Sequence, residues 1–208
     1  MQEKKHITAS CRISRRVVYK NNKLLYTGTQ DNLSDFLEGI YQVLNMHYPK
    51  YYKMDRLSRL GLVAAEVLMK GSFRQEKYQS DEIAVVLANA NSSLDTDIRY
   101  QETIKTIPSP SLFVYTLPNI VIGEICIRHG IKGENAFFVF KQFDATFMEH
   151  YVSNLLDNHL ARACICGWVE LLREEYKAVL MLVEKEQSSR TLLFTKKNII
   201  KTWEFDHG

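Results

Sequence analysis

Residues 109–135 read "SPSLFVYTLPNIVIGEICIRHGIKGEN", and their punctuation sets the reading of the whole chain. Pro118 and Asn119 stand where a helix can begin, because proline presets φ and the first turn has no use for its missing N–H. Gly130 stands where that helix can end, since glycine readily takes the left-handed conformation that closes a helix. The stretch therefore predicts a helix from about Pro118 to Gly130, a tight "GIKGEN" turn, and then a strand, "NAFFVF". His129, next to the closing glycine, reads as a complement to the helix C-terminus rather than a catalyst.

Upstream, "IAVVL" at 83–87 is a continuous apolar run with β-branched residues, as in a strand covered on both faces, and "ANANSSLDTD" after it reads as a polar loop. Asp55 caps an expected helix "DRLSRLGLVAAEVLMKG", in which Gly61, Ala64 and Ala65 allow close packing and Gly71 ends it. Leu33, Phe36, Leu37, Ile40, Tyr41, Val43 and Leu44 share a helical face, with Asp31 or Asn32 as N-cap, and "YPKYYKM" between the two helices is a loop. At the N-terminus, "HITASCRIS" and "VVYKNNKLLYTG" alternate about Asn21–Asn22 as a hairpin does. Downstream come a helix, "FDATFMEHYVSNLLDNH", and strands "ARACICGWVE" and "KAVLMLVE". A last strand, "RTLLF", follows the polar turn "KEQSS". Strands alternating with helices predict a layered α/β architecture.

With 208 residues, 46% hydrophobic and 25% charged, the chain can fill one core, and a single domain over residues 1–208 is expected. A net charge of +3 is too small to suggest a nucleic-acid binder and is compatible with an acidic protein partner. "RISRR" and "TKK" read as solvated faces. Cys11, Cys126, Cys164 and Cys166 include no metal-type pair and read as reduced core or half-core residues, so the cytoplasm is the expected compartment. No apolar run nears the ~20 residues of a membrane span, and the N-terminus lacks the apolar centre of a signal peptide. Asp95 and Asp97 read as caps of turns, and "GIKGEN" lacks the lysine-serine or lysine-threonine pair of a phosphate loop.

The quoted stretch resembles the segment of β-ketoacyl-acyl-carrier-protein synthases that passes a serine-proline loop and an asparagine-bearing helix into a "G-x-K-G-P-N" turn. "MDRLSRLGLVAAEVLM" is similar to that family's early helix, "EIAVVLANANSSLDTDIRY" to its first core strand and loop, and "ARACICGWVE" to the strand after its nucleophile helix. These matches cover most of residues 50–185. The resemblance implies the N-terminal half of a thiolase-like condensing enzyme: a three-layer α/β half domain with a mixed, mostly parallel sheet flanked by helices. Asn119, Gly123, Gly130, Gly133 and Asn135 would form its helix-and-turn motif. Glu134 departs from the family's proline.

In that family the cysteine nucleophile stands seven residues past the turn asparagine. Counting from Asn135, that position is Gln142, and an amide cannot become an acyl nucleophile. The resemblance further implies that Phe137, Phe138, Val139 and Phe140 form a dimer strand, in a homodimer or in a heterodimer with a complete ketosynthase. An acyl carrier protein is a further possible partner; nucleic acid, membrane, cofactor and metal are not expected. The expected function is a non-catalytic accessory role in fatty-acid, polyene or polyketide-type acyl-chain synthesis. Two alternatives stand beside it. One is a malonyl decarboxylase using Gln142, which needs histidine donors that His6, His47, His129, His150, His159 and His207 do not match by motif. The other is an acyl-chain or small-molecule binding module with Phe113, Tyr115, Phe138 and Phe143 around a pocket, although aromatics at such spacing are usually core.

Overall fold

The computed structural model describes residues 3–185 and 191–205. The chain opens with three strands, β1 (His6–Ser14), β2 (Val17–Lys20) and β3 (Lys23–Thr27), joined by two-residue turns. Asn21 and Asn22 both have positive φ (50° and 60°), and so do Arg15 and Arg16 (49° and 62°), as the tight hairpin turns that match strand twist require. The expected single hairpin is thus a three-stranded meander. Its first turn is built from arginines, which carry no turn signature.

Helices α1 (Leu33–Val43) and α2 (Arg56–Met69) follow, capped by Asn32 and Asp55 through bonds from the Asp35 and Ser58 amides. The tyrosine-rich loop between them forms a 3-10 turn over Pro49–Lys53. α2 is buried on nearly every side, and a Cβ on Gly61 would lie 2.2 Å from a Val121 methyl. β4 (Ile83–Asn89) is buried throughout. The polar stretch expected as a loop is one only over residues 90–93; its last four residues open a helix, α3 (Leu94–Ile104). Asp95 in its first turn is buried and accepts from the Arg173 N–H of the later 173–174 turn at 2.9 Å, as a turn cap does; it also pairs with Arg56, with Arg56 Nη2 2.6 Å from its Oδ1 and Nε 3.2 Å from Oδ2. Arg56 also reaches Glu174, and Thr96 donates to Asp55, so α2, α3 and the later 173–174 turn are tied together.

Next come α4 (Pro110–Phe113), a 3-10 turn at Val114–Thr116, α5 (Ile120–His129), β5 (Asn135–Val139) and α6 (Ala145–Asp157). The chain continues through β6 (Ala163–Leu172), β7 (Glu175–Glu184), β8 (Leu192–Leu193) and α7 (Lys196–Glu204). Of the expected "RTLLF" strand, Leu192–Leu193 form β8 and Arg190 lies outside the described residues, as does most of the "KEQSS" turn. α7, capped by Thr195, had no counterpart in the sequence reading.

The sheet runs β3-β2-β1-β7-β6-β4-β5, with β8 also on β1. It is mixed, as expected, but not mostly parallel: only β4–β5 and β4–β6 are parallel, and all other pairs are antiparallel. Connection length explains this for β1–β2, β2–β3, β6–β7 and the parallel pairs. Two-residue turns permit only antiparallel neighbours, whereas parallel neighbours need a crossover, here supplied by α3–α5 and by α6. Helices α1, α2 and α5 cover one face over Val85, Leu87 and Ile165. Helices α6 and α7 cover the other over Val86, Cys164 and Cys166. Among the described residues no single helix is long and apolar enough to cross a membrane.

Candidate functional site

The quoted stretch delivers β5 to the edge of the sheet. α5 ends at Gly130, whose φ of 64° is left-handed and whose N–H returns to the Cys126 carbonyl. The chain then passes so close to the entry of β4 that a Cβ on Gly133 would lie 2.4 Å from the Ile83 carbonyl oxygen and 2.6 Å from that of Asp81. Lys132 N–H donates to the Ser80 carbonyl at 2.7 Å. The turn is thus fixed by backbone contacts, with Glu134 exposed in place of proline. Asn119 and Gly123 are less constrained. The Asn119 side chain makes no capping bond, and space around Gly123 is open.

Asn135 enters β5 opposite Val85. Val85 N–H donates to the Glu134 carbonyl, and Phe140 N–H donates to the Asn89 carbonyl. In a parallel ladder alternate residues bond to the same neighbour, so the backbone groups of Glu134, Ala136, Phe138 and Phe140 face β4. Those of Asn135, Phe137 and Val139 face the free edge. The aromatics expected to be covered are only half-buried, and Val139 is 52% exposed.

On the α6 face, Phe138 and Phe140 stack at 5.7 Å between ring centres, and Phe147 meets them edge-on at 4.7 and 4.8 Å. Tyr151 completes this group 5.0 Å from Phe138. Neither Phe147 nor Tyr151 was singled out in the sequence, although both lie on the helix predicted to follow the strand.

Gln142 lies in the bend between β5 and α6, exposed, at the C-terminal end of the parallel strands. Its neighbours fix the bend: Asp144 caps α6 through the Phe147 amide, and Phe143 stacks on Trp203 of α7 at 4.4 Å, with Trp168 at 6.0 Å. The loop after β4 borders the same end, its Ala90 N–H and Asn91 amide held by the Glu170 carboxylate. Contacts such as Trp203–Phe143 join distant parts of the chain and have no local sequence signal.

The cysteines stand apart from this bend. Cys11, Cys164 and Cys166 are buried, and burial pushes the Cys11 and Cys164 thiols well above the ordinary range. Cys126 is half-buried, and burial alone raises its thiol to about 11. His129 is in the last turn of α5, where burial lowers its pKa, Glu66 opposes this and Arg128 adds to it. A neutral imidazole contributes little to the helix terminus; Arg128, 2.7 Å from Glu66, supplies the cation there. The four aromatics considered as a pocket do not converge. Tyr115 is buried and donates to Glu124 at 3.0 Å, and Phe113 is 58% exposed beside Tyr100. Phe138 belongs to the edge group and Phe143 to the tryptophan pair.

No family model matches the chain, and no curated protein matches it in sequence. Solved structures are similar in fold. The ishigamide ketosynthase/chain length factor superposes with a TM-score of 0.60 at 18% identity, over 87% of this chain and 62% of that one. A type II polyketide synthase acyl-carrier protein in complex with its ketosynthase bound to the hexaketide (AntDE:AntF) gives 0.58 at 15% identity, over 88% and 64%. The ketosynthase ApeO in complex with its chain length factor ApeC, from Xenorhabdus doucetiae, gives 0.54 at 13%, over 87% and 78%. The chain spans less than two thirds of the first two. At these identities the likeness is one of fold: the chain has the thiolase-like α/β architecture of ketosynthases and chain length factors, with one mixed sheet between helical layers.

Proposed function

We propose that this chain is a non-catalytic, β-ketoacyl-synthase-like accessory protein of acyl-chain synthesis, of the fatty-acid, polyene or polyketide type. It acts by pairing through β5 with a second copy of itself or with a complete ketosynthase. The observation that carries this reading is the free edge of β5: outward backbone groups at Asn135, Phe137 and Val139, backed by an incompletely buried aromatic group. An edge of this kind is a template for another strand. In a two-fold antiparallel pairing centred on Phe137, the middle of the strand, Phe137 faces its own copy and Asn135 faces Val139. All three outward residues are then satisfied on each side. The absence of acyl-transfer chemistry rests on Gln142, whose amide cannot form a thioester. The similar structures in which a ketosynthase is bound to a chain length factor or a carrier protein support the choice of partners.

Native mass spectrometry tests this reading. The purified chain, alone and with the ketosynthases and acyl carrier proteins of its own source, is expected to give a two-chain species with itself or with a ketosynthase. A monomer in every mixture at micromolar concentration refutes it.

A further inference from the structure

The edge of β5 is too small to hold a second chain alone. Three of its five residues are already half-buried, and what remains falls short of the ~800 Å² per partner that a stable interface covers. The rest must come from an element beside the edge. α5 is such an element: it packs over both β4 and β5, on the face of the sheet where Phe137 lies against the core.

Two sides of α5 are engaged within the chain. Val121 lies against Gly61 and Arg128 bonds Glu66, so that side faces α2. Ile122 and Ile125 are buried in the core over the sheet. Gly123 and Cys126 stand about half a turn from Val121 and Arg128, at roughly 100° per residue, and so face the β5 edge. This side is uncovered: a Cβ on Gly123 would meet nothing within 4 Å, Cys126 is half-buried, and Ile127 beside them is 64% exposed. It carries no charge.

The geometry of a strand pair brings two such sides together. A two-fold axis at the edge lies half a strand spacing outside β5, and α5, over β4 and β5, lies half a spacing inside it. The two copies of α5 then stand two spacings apart, about 10 Å, a distance at which helices pack. Phe137 is two residues, about 7 Å, into β5. The same distance back along α5 from His129, at ~1.5 Å per residue, reaches Ile125. With the axis at that level, the antiparallel helices set Ile127 of one copy against the open Gly123 of the other.

We propose that the partner at β5 is a second copy of this chain, held by a two-fold α5–α5 contact in which Ile127 packs on Gly123 above the paired Phe137 rings. The contact is complementary to itself, large against small, as a two-fold interface requires. This inference rests on pairing through β5 and adds to it both the choice of partner and the helix contact.

Sedimentation equilibrium of the full chain tests it, alone and with the ketosynthases of its own source. Wild type should form a homodimer. Gly123→Glu and Ile127→Glu should each weaken it at least about tenfold in Kd, because each buries an unpaired carboxylate. Both positions are open in the single chain; placed in the Val139→Pro background, which removes the edge pairing, both should leave the melting temperature unchanged or raised. Maleimide should label Cys126, the one cysteine that is not buried, several-fold faster in Val139→Pro than in wild type. Unaltered dimerisation of both glutamate variants, or equal labelling rates, would overturn the helix contact, while a dimer still broken by Val139→Pro would leave pairing through β5 standing. A chain that pairs with a ketosynthase and never with itself would overturn the choice of partner alone. A monomer in every mixture would overturn both.

Discussion

Replacing Val139 by proline isolates the edge pairing from the fold. The Val139 N–H points away from β4, because Phe140 N–H and the Glu134 carbonyl are the groups that bond inward. Proline at 139 therefore removes no bond within the chain, and the extended conformation it imposes on Phe138 is already that of a strand. In the two-fold register, each proline deletes the donor facing the partner's Asn135 carbonyl, twice per dimer. A buried acceptor left without its partner costs about 1–3 kcal/mol. The dimer should lose roughly 2–6 kcal/mol, at least about 30-fold in Kd. Sedimentation equilibrium on wild type and Val139→Pro reads this directly, with melting temperature as the control for the monomer. A variant that dimerises as tightly as wild type while melting at the same temperature refutes pairing through β5.

Three further perturbations test the parts that hold β5 in place. Gly133→Ala should cost about 3 kcal/mol, because its Cβ meets backbone oxygens that cannot retreat, and should lower Tm by about 6–12 °C. Gly123→Ala, in open space within α5, should instead stabilise by up to about 1 kcal/mol. Arg56→Met strands the buried Asp95 carboxylate and should cost about 3 kcal/mol in urea unfolding, whereas replacing both Arg56 and Asp95 with apolar residues should recover much of it. The His129 pKa is lowered in the folded state from 6.5, so the unfolded chain takes up the proton first. Its contribution is complete above pH 6.5 and is lost as pH falls through that value toward the folded pKa, with a slope of at most ~1.4 kcal/mol per pH unit. Urea melts between pH 7.5 and 5.5 should show this loss in wild type and a smaller one in His129→Gln; equal slopes would count against it.

The helices legible in the sequence are those whose cap and apolar spacing agree: α1 from Asn32, α2 from Asp55, and α6 before its buried Met148, Val152 and Leu156. α3 escapes because it has no apolar stripe; Leu94 and Ile98 are each 40% exposed, and its anchor is the buried Asp95–Arg56 pair. Strand direction is likewise invisible, since an apolar run reads alike in parallel and antiparallel ladders until the connections are known. In the candidate site, the left-handed Gly130 and the crowded Gly133 match the turn read from "GIKGEN". The edge position of β5 was not legible, because aromatics on both faces of a strand signal burial by the same chain as readily as burial by another.

The two edges of the sheet are defended unequally. β3, the strand at the other edge, begins with a lysine beside a tight turn and pairs with β2 through a register shift. Lysines and irregular edges discourage unwanted pairing. β5 has no lysine, proline or bulge between Asn135 and Val139. Its nearest lysines, Lys132 and Lys141, flank the strand. In the register centred on Phe137, Lys141 falls opposite Gly133 and Lys132 opposite Gln142, so no like charges meet. A chain that closes one edge against strands and leaves the other flat, aromatic and free of opposing charge is disposed to add a strand at β5 alone. The proposed pairing would admit one partner at a time through this face and would leave the Gln142 bend beside the junction.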